Sequence, residues 1–128
     1  MDLLLDTCDF LWLAAEPQRL GSQQRRAQIC DPANRLFLSA VSAQEIAIKT
    51  GLGKLALPSS PEQFVPEACY RLTIVPLPLV TGAALLLAAL PAHHRDPFDR
   101  TLICQALFHK LTFASSDPLI RQYAVPLL

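Results

Sequence analysis

Short apolar runs alternate with amphipathic segments along the chain, and this alternation predicts the elements of the first half. Residues 3–5 form a continuous apolar run, which is typical of a strand buried on both faces of a sheet. A helix should follow from residue 7 until Pro17, and a polar helix should cover about 22–30. A second strand is predicted over 35–40.

The alternation continues through the second half of the chain. Ser42 and Glu45 have the spacing of a capping box, which predicts a helix that ends near Gly51 and Gly53. Asp96 followed by Pro97 predicts the start of a long helix. The remaining predictions are an extended piece at 55–57, helices at 61–71 and 80–90, strands at 72–75 and 111–114, a helical turn from Asp117, and an edge strand at 123–128. Strands alternating with helices predict a three-layer α/β fold with a mainly parallel central sheet.

Length and composition fit one globular domain spanning residues 1–128. A chain of 128 residues with 52% apolar residues has enough apolar surface for a single core. Acidic and basic residues balance at 11 each, so no strong overall charge attracts a polyanion. A nucleic acid would therefore have to be held by a local patch.

The cysteines and the length of the apolar runs predict the cellular compartment of the protein. The four cysteines form no CxxC pair and match no zinc spacing, which predicts buried free thiols and a reducing environment. The longest apolar run, 80–90, is far shorter than the roughly 20 residues that span a bilayer. Met1 leads directly into a strand-like segment with no basic leader region. These features predict a cytoplasmic protein.

Four carboxylates stand where a strand should end and a helix begin: Asp6, Glu45, Asp99 and Asp117. The carboxyl ends of parallel strands share one edge of the sheet, so these side chains should converge there. Such a group of like charges is tolerated when a cation offsets it. The acids therefore predict a Mg²⁺ or Mn²⁺ site and phosphodiester chemistry.

Each acid also has a purely structural interpretation. Asp6, Asp96 and Asp117 suit helix N-caps, while Glu45 and Asp99 suit acids that interact favourably with a helix dipole. Capping and metal binding are compatible, because a helix N-terminus stabilises the ionised carboxylate that a hard cation prefers. Asp96 is the acid that capping alone explains best.

Further side chains near these acids are candidates for supporting roles. Thr7 and Ser116 adjoin two of the acids and are candidates to hold a metal-bound water, or to act only as local capping hydroxyls. Basic side chains are candidates for contacts with RNA phosphates, or else are solvated or packing residues. These basic candidates are Lys49, Lys54, His93, His94, Arg95 and Arg100.

The order and spacing of several segments carry a family resemblance. The segments are Leu4–Thr7, Ser39–Lys49, Gly51–Leu55, His93–Arg100 and Ser116–Asp117. Together they closely resemble the PIN-domain family and, within it, the VapC-type toxins of bacterial toxin–antitoxin pairs. Gln44 departs from the bulky apolar residue common at its position, and Ser115–Ser116 departs from the usual pair before Asp117. The second departure bears on how Asp117 is presented.

The resemblance implies a function. It implies a PIN-like fold and a metal-dependent endoribonuclease that cleaves RNA, such as tRNA or another structured RNA, and is inhibited by a cognate antitoxin. The implied ligands and catalytic residues are Asp6, Glu45, Asp99 and Asp117, with Asp96 beside them. Alternatives are a PIN-type nuclease of RNA processing or DNA repair, and a non-catalytic partner in a repressor complex.

The resemblance also implies a homodimer, and the apolar segment 80–90 is the candidate contact. It has more apolar surface than one buried helix face needs, although a fully internal helix is the alternative. The antitoxin is expected to supply an apolar segment and a basic side chain that enters near Asp6, Glu45 and Asp99.

Overall fold

Four parallel strands form the central sheet. In the computed structural model, which describes residues 1–128, they are Asp2–Leu5 (β1), Arg35–Ser39 (β2), Ile74–Leu77 (β3) and Thr112–Ala114 (β4). Their order across the sheet is β3-β2-β1-β4. The predicted parallel α/β architecture is therefore confirmed.

Helices and 3₁₀ turns connect the strands. Several begin at a side chain that accepts a backbone N–H, as at Ser22 and Asp96, because the first amides of a helix lack partners within it. The helices are Thr7–Ala15 (α1), Gln23–Ile29 (α2), Ala40–Gly51 (α3), Pro61–Leu72 (α4), Thr81–Leu85 (α5) and Pro97–His109 (α6). The 3₁₀ turns are Pro17–Leu20, Leu86–Ala88 and Pro118–Gln122.

Successive side chains of β1 point to opposite faces and thereby define three layers. Leu3 and Leu5 pack in one apolar cluster with Phe10 of α1. Leu4 lies in a second cluster, together with Leu102 of α6. All three β1 leucines are fully buried, which explains why this strand is a continuous apolar run.

The register brings several strand ends to one edge of the sheet. Leu5 pairs with Ala114 of β4, and Leu4 pairs with Phe37 of β2. The Asp6 amide continues the ladder by donating to the Ala114 carbonyl at 3.0 Å. The residues that follow β1, β2 and β4 therefore emerge side by side, which is the arrangement that positions the candidate site.

The start of α3 differs from the prediction. The helix begins at Ala40, and the hydroxyl of Ser39 accepts the Val41 amide N–H. The capping box at Ser42 and Glu45 is therefore wrong: Ser42 lies inside the first turn, and Glu45 lies one turn further along the helix. The strand passes directly into the helix because Ser39 serves both as its last residue and as the cap.

The segment around β3 also differs from the prediction. Helix α4 continues to Leu72, and Thr73 in the left-handed region ends it, so β3 spans Ile74–Leu77 rather than 72–75. Pro76 lies within this strand, opposite Leu38. A proline is tolerated here because β3 is at the edge of the sheet, where an amide can be missing without breaking a ladder on both sides.

The predicted helix at 80–90 is broken into two short pieces, α5 and the turn Leu86–Ala88. It is not an internal helix, because only Ala83 is buried and Leu85 is 69% exposed. Residues 55–57 form no strand, and the predicted edge strand is reduced to one bridge between Phe113 and Leu127. No helix is long and apolar enough to cross a bilayer.

The cysteine prediction is half correct. All four thiols are free, and Cys69 and Cys104 are buried as predicted. Cys8 and Cys30 are exposed instead. Cys8 lies on the side of α1 that faces away from the core, whereas its neighbours Thr7 and Asp9 are buried.

Candidate metal centre

The predicted acids converge on one cavity at the carboxyl edge of the sheet. Asp6 follows β1, Glu45 comes from α3, Asp99 from the first turn of α6, and Asp117 from the loop after β4. The cavity has a volume of about 280 Å³. Its lining residues are Asp6, Thr7, Cys8, Trp12, Glu45, Lys49, Asp96, Asp99, Ser116 and Asp117.

Asp6 is both a helix cap and a wall of this cavity. Its Oδ1 accepts the amide N–H of Asp9 at 2.7 Å, which starts α1, and the residue is only 7% exposed. Burial, together with the neighbouring charge of Asp9, raises the pKa of Asp6 to about 7. Cap and candidate ligand are thus the same carboxylate, as the sequence allowed.

Glu45 is held by hydrogen bonds to both of its oxygens. The Thr7 hydroxyl donates to Oε1 at 2.6 Å and lies 3.0 Å from the Ser42 hydroxyl. Lys49, one turn further along α3, donates to Oε2 at 2.5 Å. Thr7 therefore orients an acid directly, and Lys49 forms an ion pair with that acid while its side chain stays 44% exposed.

Asp96 and Asp99 lie together at the start of α6. Asp96 Oδ1 accepts the Phe98 amide at 2.8 Å, which confirms the predicted cap. Burial, with the charge of Asp96 next in effect, raises the pKa of Asp99 to about 6. Asp96 lines the cavity as well, so it adds negative charge beside Asp99 in addition to capping the helix.

His94 is fixed between two of the acids. Its Nδ1 accepts the Asp96 amide N–H at 3.0 Å, so Nε2 is the ring nitrogen that directs a proton at the acids. That proton points to Asp117 Oδ2 at 2.8 Å, and Asp99 Oδ2 is 3.3 Å away. In this arrangement Nε2 of His94 donates to the acids, and the side chain is only 10% exposed.

Asp117 has both carboxylate oxygens engaged. Oδ2 accepts from His94, and Oδ1 accepts the Leu119 amide at 2.9 Å. Burial acts to raise the pKa of Asp117, but the hydrogen bonds from Leu119 and His94 outweigh it, so its pKa is lowered. Ser115 rather than Ser116 accepts the Asp117 amide, at 3.2 Å, while Ser116 lines the cavity.

The other basic candidates lie in different environments. Arg100 is half-buried and donates to the Leu90 carbonyl at 3.2 Å, so it is engaged within the protein. His93 packs edge-on against the Tyr123 ring, at 5.1 Å between centroids. Arg95 and Lys54 are exposed, and they remain available for contacts with a phosphate.

Asp9 is a buried acid beside the site that sequence reasoning missed. It is fully buried beside Asp6, and its Oδ2 forms an ion pair with Arg25 of α2 at 2.7 Å, while its Oδ1 has no hydrogen-bond partner. Burial raises the pKa of Asp9, and the guanidinium acts against this. The sequence does contain a signal for its burial: Asp9 lies one helical turn before Leu13, on the same buried side of α1.

The donors of this cavity suit a hard divalent cation. Carboxylate oxygens are the ligands that Mg²⁺ and Mn²⁺ prefer, and those of Asp99 and Asp117 lie within 4.8 Å of each other and of His94 Nε2. Cys8 is a poor additional ligand: although the residue is exposed, the protein around its thiol partly excludes water, and this together with the nearby acids raises its pKa to about 11. The residues present therefore fit Mg²⁺ or Mn²⁺.

Solved structures share this fold. One is VapBC2 from Rickettsia felis bound to a DNA fragment from their promoter, with a TM-score of 0.73, 11% identity, and coverage of 100% of this chain and 98% of that chain. FitAcB from Neisseria gonorrhoeae has a TM-score of 0.64 and 20% identity, with 98% and 96% of the two chains covered. DNA-bound VapBC from Salmonella typhimurium has a TM-score of 0.67 and 16% identity, with 100% and 97% covered.

The sequence comparisons are consistent with this likeness. No curated protein shows a significant match to the chain. The family described as PIN domain, in contrast, matches residues 3–126, which is nearly the whole length. The chain therefore belongs to the PIN domain family.

Proposed function

We propose that this chain is a metal-dependent endoribonuclease of the VapC toxin type, which hydrolyses RNA phosphodiester bonds with Mg²⁺ or Mn²⁺. One observation carries the proposal: four acids from distant parts of the chain line one cavity at the edge of a PIN fold. The names VapBC and FitAcB among the structural neighbours support the toxin assignment. We propose one domain over 1–128 that acts on RNA in the cytoplasm.

The proposed roles follow from the contacts. Asp6, Glu45, Asp99 and Asp117 would hold the ion, which supplies an activated water and offsets the charge on the scissile phosphate. Thr7 and Lys49 orient Glu45, and His94 orients Asp117. Asp96 fixes the first turn of α6 and therefore the position of Asp99.

Cleavage assays with a charge-matched control test the proposal. Purified protein should cleave RNA when Mg²⁺ or Mn²⁺ is present and should lose this activity in excess EDTA. Asp99→Asn should abolish cleavage, because it removes ligand charge from the cavity. Asp31→Asn, an equal change at an exposed loop position, should leave cleavage unchanged. Full activity in EDTA would refute the metal mechanism.

We also propose protein partners: a cognate antitoxin and a second copy of this chain. Exposed apolar surface supports this, since monomers rarely leave large apolar patches uncovered. Tyr70 is 90% exposed and lines a groove of about 560 Å³ whose walls are mainly apolar side chains of β2, α3, α4 and β3. Leu85 is 69% exposed on a different element. Light scattering at micromolar concentration should give a dimeric mass for the toxin alone.

The antitoxin should compete with the metal. A guanidinium inserted beside Asp6, Glu45 and Asp99 would bind two carboxylates through its planar fork and displace the ion. Antitoxin affinity should then fall as Mg²⁺ rises at constant ionic strength, because the two ligands are linked through one site. The fall should be smaller in Asp99→Asn. An affinity that is independent of Mg²⁺ in the wild type would exclude the inserted cation.

A further inference from the structure

The wall of the metal cavity contains one aromatic side chain, Trp12. It lies on α1 four residues after Cys8, so the two side chains share one face of the helix and both line the cavity. The helix begins at the Asp6 cap. The candidate site therefore extends along α1 from the carboxylates to an indole ring.

A guanidinium lies over this ring. The Cζ atom of Arg19 is 5.0 Å from the centroid of the Trp12 ring, a distance at which a cation and an aromatic face attract each other. Arg19 is also 3.6 Å from Glu16, but both side chains are more than half exposed, so that ion pair holds the arginine only weakly. Arg19 is thus free to rearrange around a ligand.

The ordinary interpretation of Trp12 is a core residue, and it explains only part of the environment. Trp12 does pack against the apolar cluster that contains Leu3 and Phe10. It is not fully buried, however, and the part that it exposes meets an acid-lined cavity and an exposed arginine rather than apolar side chains. Core packing alone gives no reason for an indole at this position.

The walls of the cavity offer a polyanion few cationic contacts. Five carboxylates and one lysine line the cavity, so the walls by themselves repel a phosphate. A bound divalent ion offsets this only at the phosphate it contacts. Arg19 adds a cation next to the cavity, and an aromatic ring or a guanidinium plane adds base stacking, which tolerates any sequence because every base has a π-face.

We propose that Trp12 and Arg19 form a stacking site for one unpaired base of the RNA, next to the scissile phosphate. This proposal rests on the proposed nuclease function. It adds a requirement on the RNA substrate: one nucleotide near the scissile phosphate must have an unpaired base. Single-stranded segments, loops and bulges supply such bases, whereas a continuous duplex does not. The pair contributes affinity and position, and the acids remain the cleavage site.

Trp12 is the only tryptophan in the chain, so its fluorescence reports this site directly. The probe is a short single-stranded oligoribonucleotide titrated into Asp99→Asn, which should bind without cleaving. Saturable quenching of the tryptophan emission is expected. The same oligomer with one abasic position should quench less and bind about 5- to 100-fold more weakly, as expected for the loss of one stacked base.

Variants separate stacking from folding. Trp12→Leu keeps an apolar side chain but removes the π-face, and Arg19→Gln changes an exposed residue that the core does not need. Both should weaken binding of an end-labelled oligomer in fluorescence anisotropy and should raise KM more than they lower kcat. Trp12→Phe should keep much of the affinity. Lys110→Gln removes one charge at the opposite end of α6 from the cavity, about 20 Å from the start of that helix, and should change nothing.

The outcomes distinguish this proposal from the nuclease proposal. Suppose that the wild type cleaves RNA with Mg²⁺, that Arg19→Gln binds the oligomer as tightly as the protein with Arg19 does, and that the abasic oligomer binds as tightly as the intact one. The stacking site is then wrong, and the nuclease proposal stands. If the wild type neither binds nor cleaves RNA under any metal condition, the nuclease itself is wrong. Because Arg19→Gln is a surface change, a Trp12 variant that fails to fold does not remove the test.

Discussion

Asp6→Asn should stabilise the metal-free protein while abolishing cleavage. Burial and Asp9 raise the pKa of Asp6 from its ordinary 3.8 to about 7. The folded protein therefore binds this proton more tightly than the unfolded chain, so stability falls as pH rises from about 4 to about 7 and is level above that. One pKa unit corresponds to about 1.4 kcal/mol, so ionisation of Asp6 costs about 4 kcal/mol at pH 7.5.

The asparagine removes this cost without removing the cap. Its side-chain oxygen can still accept the Asp9 amide, and asparagine caps helices as well as aspartate does. The free energy of unfolding should therefore rise by up to about 4 kcal/mol at pH 7.5, and by only about 1 kcal/mol at pH 4.5, where the wild-type carboxyl is already protonated.

Urea unfolding in EDTA at the two pH values measures this difference. Glu67→Gln is the control, because it removes the same charge from an exposed side chain. It should change the free energy of unfolding by no more than about 0.5 kcal/mol. Added Mg²⁺ should stabilise the wild type and should stabilise Asp6→Asn much less, because the ligand charge is gone. A variant that is equally destabilised at both pH values would show that Asp6 serves the fold and not an ion.

Three further predictions concern other residues. His94→Ala should weaken Mn²⁺ binding in calorimetry by about 10- to 100-fold, because Asp117 loses the donor that orients it, and His94→Gln should recover part of the loss. Arg25→Met should lower the free energy of unfolding by about 3–5 kcal/mol, because it leaves the buried Asp9 carboxylate without a counter-ion, and adding Asp9→Asn should restore part of it. Leu85→Lys should convert the proposed dimer to a monomer in sedimentation while changing stability by less than about 0.5 kcal/mol, since the side chain is 69% exposed.

The fold and the converging acids follow from the sequence because they depend on strong, short-range patterns. A fully buried strand such as β1 must be continuously apolar, and the residue after it must leave the sheet at the carboxyl edge. Asp6 directly follows β1, Asp117 lies in the loop after β4, and each caps the next helical segment. Their convergence then needs only the parallel topology that strand–helix alternation already indicates.

The errors arise where two local signals compete. Ser39 and Ser42 are both good caps, and only the hydrogen bond from the Val41 amide to the Ser39 hydroxyl decides between them. Pro76 indicated the end of β3, although an edge strand can accommodate it. Whether a strand is central or at the edge depends on the order of the whole sheet, which no short segment contains.

Asp9 shows a different limit of sequence reasoning. Its partner, Arg25, is 16 residues away on another helix, so neither residue identifies the other. An acid on the buried side of α1 indicates that some cation must reach it, since a buried unpaired charge is costly. Several basic residues of the following polar segment, including Arg26, fit that description equally well from the sequence. The choice is made by tertiary packing.

The excess of acid at the cavity links its ligands to one another. Five carboxylates face one lysine there, and in the metal-free protein part of the repulsion is relieved by protons, as the raised pKa values of Asp6 and Asp99 indicate. Protons, a divalent ion and an inserted guanidinium therefore all reduce the same repulsion among the same carboxylates. Since they bind at one place, each must weaken the others, and a cavity built to hold metal is for that reason also one that a basic side chain can block.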